Sequence, residues 1–251
     1  MIRRWLWRLR GLFFLAPAAT LLAFVCLFVF LVEQAAERVE FVNVYGYRYS
    51  YAQALIPCFG LNWPLLSRGF FWQPVTYMFL HASWWHLGLN MLTVLLFGSG
   101  LEVEVGGRRF WRIFLAGGIV GAAGWLAVTA LLPLVPPVPA LTHWMPQVLR
   151  AWLPAEAARG TLDSAMCIGA SGGVFALIGA YAALFPQRQV YVLLLVFPAK
   201  LRARSLAWLL GILTVAEAVF VQSQVAYAAH LAGGVAGFLC ARRMRDVDTT
   251  D

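Results

Sequence analysis

Charged residues are scarce in this chain of 251 residues, making up 12% of it against roughly 25% of an average soluble domain. That shortage excludes an ordinary water-soluble globule. Cysteine is sparse too: Cys26, Cys58, Cys167 and Cys240 show no metal-type spacing, three of them fall in apolar segments, and no disulfide framework is indicated. Long polar stretches are missing, so no soluble accessory domain is expected. What is abundant is apolar. Hydrophobic residues make up 62%, and Gly11 to Val32 is an uncharged run of 22 residues, longer than the ~20 a helix needs to cross the hydrocarbon core. The expected class is an all-α polytopic membrane protein in contact with the lipid bilayer.

Six apolar, nearly uncharged segments are candidate spans: Gly11 to Val32, about Trp84 to Leu101, Ile113 to Leu132, Ser164 to Phe185, Ser205 to Val221 and Val225 to Ala241. Val190 to Phe197 is apolar but too short to cross and is placed at the cytoplasmic surface. Sorting the 19 Lys and Arg by alternate sides puts fourteen together: Arg3, Arg4, Arg8, Arg10, Arg108, Arg109, Arg112, Arg188, Lys200, Arg202, Arg204, Arg242, Arg243 and Arg245. Only Arg38, Arg48, Arg68, Arg150 and Arg159 fall opposite. This positive-inside bias predicts that both termini are cytoplasmic and the long loops face outward. It also gives the net charge of +8 a topological meaning, and no nucleic-acid partner is expected. The expected organisation is a cytoplasmic segment over 1–10, one six-span domain over 11–245 and a short acidic tail over 246–251.

The basic N-terminus resembles the start of a secretory signal, yet its apolar region exceeds the 7 to 15 residues of one, so it is expected to stay as the first span. The absence of a targeting tail, with the simple span plan, predicts a bacterial inner membrane. The outer loops, about 33–83 and 133–163, carry Tyr45, Tyr47, Tyr49, Tyr51, Trp63, Phe70, Phe71, Trp72, Trp144 and Trp152. Such amphipathic rings favour the headgroup zone, so both loops are expected to lie half immersed.

Polar groups at membrane depth are costly, and their positions point to function. Four places qualify: His81 to Asn90 leading into the second span, Ile168 to Gly173 in the fourth, Ala229 to Gly237 in the sixth, and Glu217 in the fifth. At 1.5 Å per residue, Ser171 is expected ~10 Å below the start of its span and His230 ~8 Å below the start of its own. Asn90 falls about one and a half turns into the second span, and Glu217 ~6 Å from the outer end of the fifth. A hydroxyl, an imidazole, an amide and a carboxyl thus share one shallow layer. The i,i+4 glycine pairs Gly169/Gly173 and Gly233/Gly237 permit close helix contact beside it. Alone, each pair is a packing feature and a lone Ser bonds its own i−4 carbonyl; matched depth is what favours chemistry. That chemistry is acyl transfer, with Ser171 activated by the imidazole of His230. His86 and Asn90, one turn apart, and the backbone N–H of Ser171 can serve a developing oxyanion.

At this point the chain resembles the rhomboid intramembrane serine proteases. Gly-Ala-Ser-Gly at Gly169 to Gly172 is similar to the family's GxSG, His230 with Gly233 and Gly237 to its HxxGxxxG, and His81, His86 and Asn90 to its HxxxxHxxxN. The resemblance implies a six-helix core, a Ser171–His230 dyad without an acidic third member, an oxyanion hole from His86, Asn90 and Ser171, and a pocket lined by His81, Gly169, Gly172 and Phe175. It also implies that the substrates are transmembrane segments of other proteins, cut near their outer ends. Trp72 and Gln73 stand where the family has Trp-Arg, so different bonding is expected in that loop. Gly98 to Glu102 resembles the family's turn at the inner end of the second span. Phe175 stands where many members carry Tyr, keeping a ring and losing a hydroxyl.

No cofactor is expected and no metal. His81 and His86, five apart, splay on a helix and have no thiolate or carboxylate to complete a site, and His143 in the Pro-rich outer loop reads as solvated or interfacial. Glu217 is expected at a lateral opening, a water path or a helix partner, and Gln73, His81, Gln222, Ser223 and Gln224 are expected to admit water. The competing reading is a non-catalytic membrane-helix binder or transporter using the same polar layer; no convincing internal repeat supports it. The sequence leaves oligomeric state and native substrate open.

Overall fold

The computed structural model describes residues 15–42, 48–131, 165–194, 197–220 and 226–248. It is mostly helical. Helix α1 spans Pro17–Glu37, a short antiparallel ribbon pairs β1 (Glu40–Val42) with β2 (Arg48–Ser50), and α2 (Tyr51–Phe59), α3 (Trp63–Leu66) and α4 (Gln73–Thr76) fold the first long loop. Helix α5 (Trp84–Thr93) runs through a π-turn at Val94–Gly98 into α6 (Ser99–Val105), and α7 covers Gly107–Leu131. Helix α8 (Ser171–Leu184) is followed by the hairpin β3 (Gln189–Leu194) and β4 (Phe197–Arg202), then α9 (Ala203–Phe220) and α10 (Ala226–Asp248).

Among the described residues, three helical stretches are long and apolar enough to cross a membrane: Pro17–Glu37, Trp84–Val105 and Gly107–Leu131. Their outer faces are apolar as well as their inner ones. On α1, Ala19, Leu22, Cys26, Phe30 and Glu33 are buried, while Leu21, Phe24, Phe28 and Leu31 form the opposite stripe with Phe24 and Phe28 59% and 68% exposed. A soluble helix would carry charge there, and a face of this kind fits lipid.

The observed bounds correct several expectations. Helix α1 runs on to Glu37, whereas the expected span ended at Val32, and the expected start at Gly11 lies outside the described residues. The stretch expected as the third span lies in α7, which begins at Gly107 and carries Arg108, Arg109 and Arg112 on its first turns, and the stretch expected as the last lies in α10, which continues to Asp248. A charge at a helix end does not stop the helix, because long side chains reach the interface while the backbone ladder continues. Gly98 to Glu102 forms no turn but stays helical. Glu102 accepts the Ala18 and Ala19 N–H groups at 2.8 Å each, so a buried carboxyl from α6 supplies the partners that the first turn of α1 lacks. The Val190 to Phe197 stretch lies in the β3–β4 hairpin, with 195–196 outside the described residues.

The core of the molecule is the packing of α8 between α7 and α10. Glycine decides its closeness. A Cβ at Gly233 would strike the Gly172 carbonyl, one at Gly237 the Ala176 carbonyl, and one at Gly179 the Gly234 carbonyl. On α7, Gly117 faces Ala176, Gly118 faces Met78 and Gly121 lies against the Ala229 carbonyl. Apolar burial gives helices no net attraction inside lipid, so backbone approach through small residues carries this contact.

Candidate active site

Ser171 is the first residue of α8. It does not lie ~10 Å down a helix, as the sequence suggested: the chain before it is extended, with Leu61 and Cys167 exchanging backbone hydrogen bonds of 3.0 and 2.9 Å. The switch from extended chain to helix occurs at Gly169, whose φ of +125° is open to glycine and strained for other residues. The Gly169 N–H donates to the Tyr77 carbonyl at 2.8 Å. Starting the helix at Ser171 leaves the N–H groups of its first turn without helical acceptors and turns their dipoles toward the hydroxyl.

His230 sits in the second turn of α10. Its Nε2 lies 2.8 Å from Ser171 Oγ, and both residues are half-buried. The Phe175 ring, one turn after Ser171, stacks flat on the imidazole at 4.4 Å between centroids and 2° between planes. Phe175 therefore fixes the plane of the ring without supplying a hydrogen bond. A hydroxyl bonded to an imidazole nitrogen has the arrangement that acyl transfer needs of a nucleophile and its base.

The other predicted residues gather on α5 and the segment before it. A Cβ at Gly169 would lie 2.6 Å from His86 Cε1 and 2.8 Å from Nε2, which places the His86 ring directly over the turn preceding Ser171. The Ala82 N–H donates to His86 Nδ1 at 3.4 Å. Nδ1 is thereby the acceptor, leaving the proton on Nε2, the nitrogen nearest Gly169. Asn90, 6% exposed, gives one amide proton to the His86 carbonyl at 2.9 Å and has a second to donate. His81, outside the spans and 3% exposed, meets the His86 ring edge-on at 5.1 Å, and its Nδ1 is 3.3 Å from the Phe79 carbonyl. Burial, with the charge of His86 adding to it and the Phe79 bond opposing, pushes the His81 imidazole down to about 4, so it is neutral at ordinary pH.

Some expectations change here. Gln73 admits no water: it is fully buried, accepts the Asn62 N–H at 3.2 Å and donates to the Pro57 carbonyl at 2.9 Å, while Trp72 Nε1 donates to the Cys58 carbonyl at 2.8 Å. The bonding of the Trp-Gln pair is thus internal to its loop. Gly172 belongs to the helix seam more than to a pocket, set between the Tyr77 hydroxyl and Gly233 of α10. Glu217 is exposed on α9. Gln222, Ser223, Gln224 and His143 lie outside the described residues. Among those described, no group of His, Cys, Asp and Glu is arranged to hold a metal.

Sequence reasoning missed Tyr77. Its carbonyl holds Gly169, its hydroxyl donates to the Gly118 carbonyl at 2.7 Å, and the same oxygen would meet a Cβ on Gly172 at 2.9 Å. Through its backbone carbonyl and its side chain, one buried residue thereby ties the loop before α5 to α7 and to the turn that starts α8. Nothing in the sequence marks Tyr77, whereas Gly117 and Gly121 have the same i,i+4 spacing that singled out the other two glycine pairs.

The fold and these contacts define a helical membrane protein that joins two glycine-packed helices at a serine–histidine contact. The chain belongs to the rhomboid family: residues 68–246 match the Rhomboid domain. It is a multi-pass integral membrane protein. It is 28% identical over 166 residues to Rhomboid protein 1, mitochondrial, of Saccharomyces cerevisiae, covering 64% of this chain and 38% of that protein. With Rhomboid-related protein 3 of Homo sapiens it shares 31% over 112 residues, 45% of this chain and 20% of the relative. With the Bacillus subtilis protein named "Putative rhomboid protease YdcA" it shares 27% over 174 residues, 69% and 67% of the two chains. The chain thus spans well under half the length of the yeast and human relatives.

Proposed function

We propose that this protein is an intramembrane serine endopeptidase that cuts other membrane proteins in or near the outer end of a transmembrane helix. The observation that carries the reading is the 2.8 Å contact between Ser171 Oγ and His230 Nε2. In this reading Ser171 Oγ attacks the scissile carbonyl while His230 takes its proton, later giving that proton to the leaving amine; water then hydrolyses the acyl-enzyme with His230 as base again. The negative oxygen formed on attack is met by His86 Nε2–H, the second amide proton of Asn90 and the Ser171 N–H at the head of α8. Gly169 gives His86 the room to approach, Phe175 holds the His230 ring flat, and His81 backs His86. Family membership supports the reaction class.

The six-span plan with cytoplasmic termini is part of the same proposal, as is the division into a 1–10 segment, an 11–245 domain and a 246–251 tail. It is supported by contacts that group like ends. The start of α1 meets α6 through Glu102, and Arg188 beyond the end of α8 pairs with Glu104 of α6 at 2.7 Å. At the other end Trp63 Nε1 donates to Thr129 of α7 at 3.1 Å. We place the protein in a bacterial inner membrane on its span plan. The substrate must unwind locally to offer its carbonyls, so helices with Gly, Pro or polar residues near the cut and a small residue before it are the expected substrates.

The test is labelling of purified protein in detergent with a fluorophosphonate probe. Wild type is expected to form a covalent adduct, while Ser171→Ala and His230→Ala do not. Folded wild type that stays unlabelled would remove the nucleophile, and with it this reading.

A further inference from the structure

Glu33 is a carboxyl in a poor place. It projects from the last turns of α1, is 7% exposed, and lies among Val32, Ala36, Ala52, Leu55, Ile56, Phe59 and Leu80 around a cavity of about 100 Å³. Its Oε2 accepts the His81 N–H at 3.4 Å, and its Oε1 has no partner among the described residues. Burying a carboxyl for one long hydrogen bond costs more than it returns, and an apolar side chain of the same volume would fill the site better. Stability does not account for it.

What it touches suggests another use. The residue after His81 is Ala82, whose N–H reaches His86 Nδ1. His81 also turns back on Phe79 through Nδ1, has no partner for Nε2 among the described residues, and rests edge-on against the His86 ring. Segment 79–82 is therefore a short brace behind His86, and Glu33 is the contact that ties its backbone to α1. Both bonds along this line are 3.4 Å long, so a displacement of a few tenths of an ångström breaks them. With Ala82 withdrawn, no other hydrogen bond among the described residues holds Nδ1 as an acceptor.

We propose that Glu33 is a positioning residue for His86: by holding the 79–82 backbone it keeps Ala82 against Nδ1 and so keeps the His86 proton on Nε2, facing Gly169 and Ser171. Glu33 lies outside residues 68–246 that match the family domain, so α1 contributes to the site through this brace. The inference rests on the reading of His86 as an oxyanion donor, and it is tested by a readout that does not need activity. Protein labelled with 15N-histidine is measured in lipid bilayers, the His86 signals being assigned by their loss in His86→Gln. Wild type shows a single Nε2–H tautomer; Glu33→Met shows a mixture; Glu33→Gln, which keeps an acceptor oxygen, returns the wild-type spectrum. In a proteolysis assay Glu33→Met lowers kcat about fivefold, the kinetic equivalent of one ordinary hydrogen bond, with KM unchanged and thermal stability equal to or above wild type. A single Nε2–H tautomer in Glu33→Met overturns the proposal, and so does a parallel loss of stability and activity that Glu33→Gln fails to restore. Should the chain prove inactive, the tautomer spectra still decide the role of Glu33, and only the meaning of His86 changes.

Discussion

Replacing Gly169 with alanine strikes the site where the turn before Ser171 meets the His86 ring. Two costs follow from the structure. The backbone φ of +125° is one that an alanine holds only with strain of about 1–3 kcal/mol. The new Cβ would also lie 2.6 Å from His86 Cε1, where ordinary contact begins at 3.4 Å, so ring or turn must yield by most of an ångström. If the ring yields, Nε2 leaves the position from which the proposed mechanism has it meet the oxyanion, and a misplacement of this size costs on the order of 10²-fold in rate. If the turn yields, Ser171 moves relative to His230 and the loss is similar. The assay is cleavage of a single-span substrate in proteoliposomes, with kcat and KM separated and thermal unfolding recorded alongside. The expected result is kcat down ~10²-fold with KM changed little, because the substrate helix is held elsewhere. Gly88→Ala is the control, on the same helix as His86 with nothing within 4 Å of its Cβ, and it should leave kcat intact while favouring the helix by about 1 kcal/mol. A Gly169→Ala variant with wild-type kcat would refute the reasoning that makes turnover depend on His86 packed against this turn.

Three further outcomes follow. Asn90→Ala should reduce turnover ~10²-fold or more, the cost of deleting one oxyanion donor, and a rate near wild type would take Asn90 out of the oxyanion hole. Gln73→Leu should leave the buried Asn62 N–H unpaired and cost about 1–3 kcal/mol of stability, seen as a lower unfolding temperature with kcat of the folded fraction kept; an unchanged transition would show that the loop does not depend on it. For His81 the pH dependence has a definite sign. Its folded-state value near 4 lies below the ordinary 6.5, so between these values the unfolded chain binds more protons. The contribution to stability is complete above about 6.5 and is lost as pH falls through that window toward 4. Unfolding temperature measured from pH 7 to pH 4 should fall less steeply in His81→Gln than in wild type, and parallel slopes would contradict the assignment.

The motif residues were legible before any fold was known, because each is a polar or glycine residue standing where apolar side chains are the rule. Ser171, His230, His86 and Asn90 announce themselves by type, and spacing alone puts His86 and Asn90 on one helical face. Their meeting was not legible in detail. Equal depth follows from the sequence only for a fourth span helical from Ser164, whereas the helix begins at Ser171, and the two side chains meet because Gly169 ends an extended segment there.

Other contacts had no signal in the chain at all. A carboxyl such as Glu102 reads as the polar end of a span until the first turn of α1 is seen to rest its N–H groups on it. Tyr77 and Glu33 look like ordinary residues of a loop and a helix end until backbone atoms far along the chain are brought against them.

Local chemistry, then, determined what kind of protein this is and which groups are candidates for chemistry. Composition fixes the lipid environment, and residue type with helical period fixes the candidates, since both act over a few residues. The tertiary structure decided which of those groups touch, because contact depends on how closely three helices approach through glycine and on hydrogen bonds between segments remote in the chain, neither of which any short stretch of residues contains.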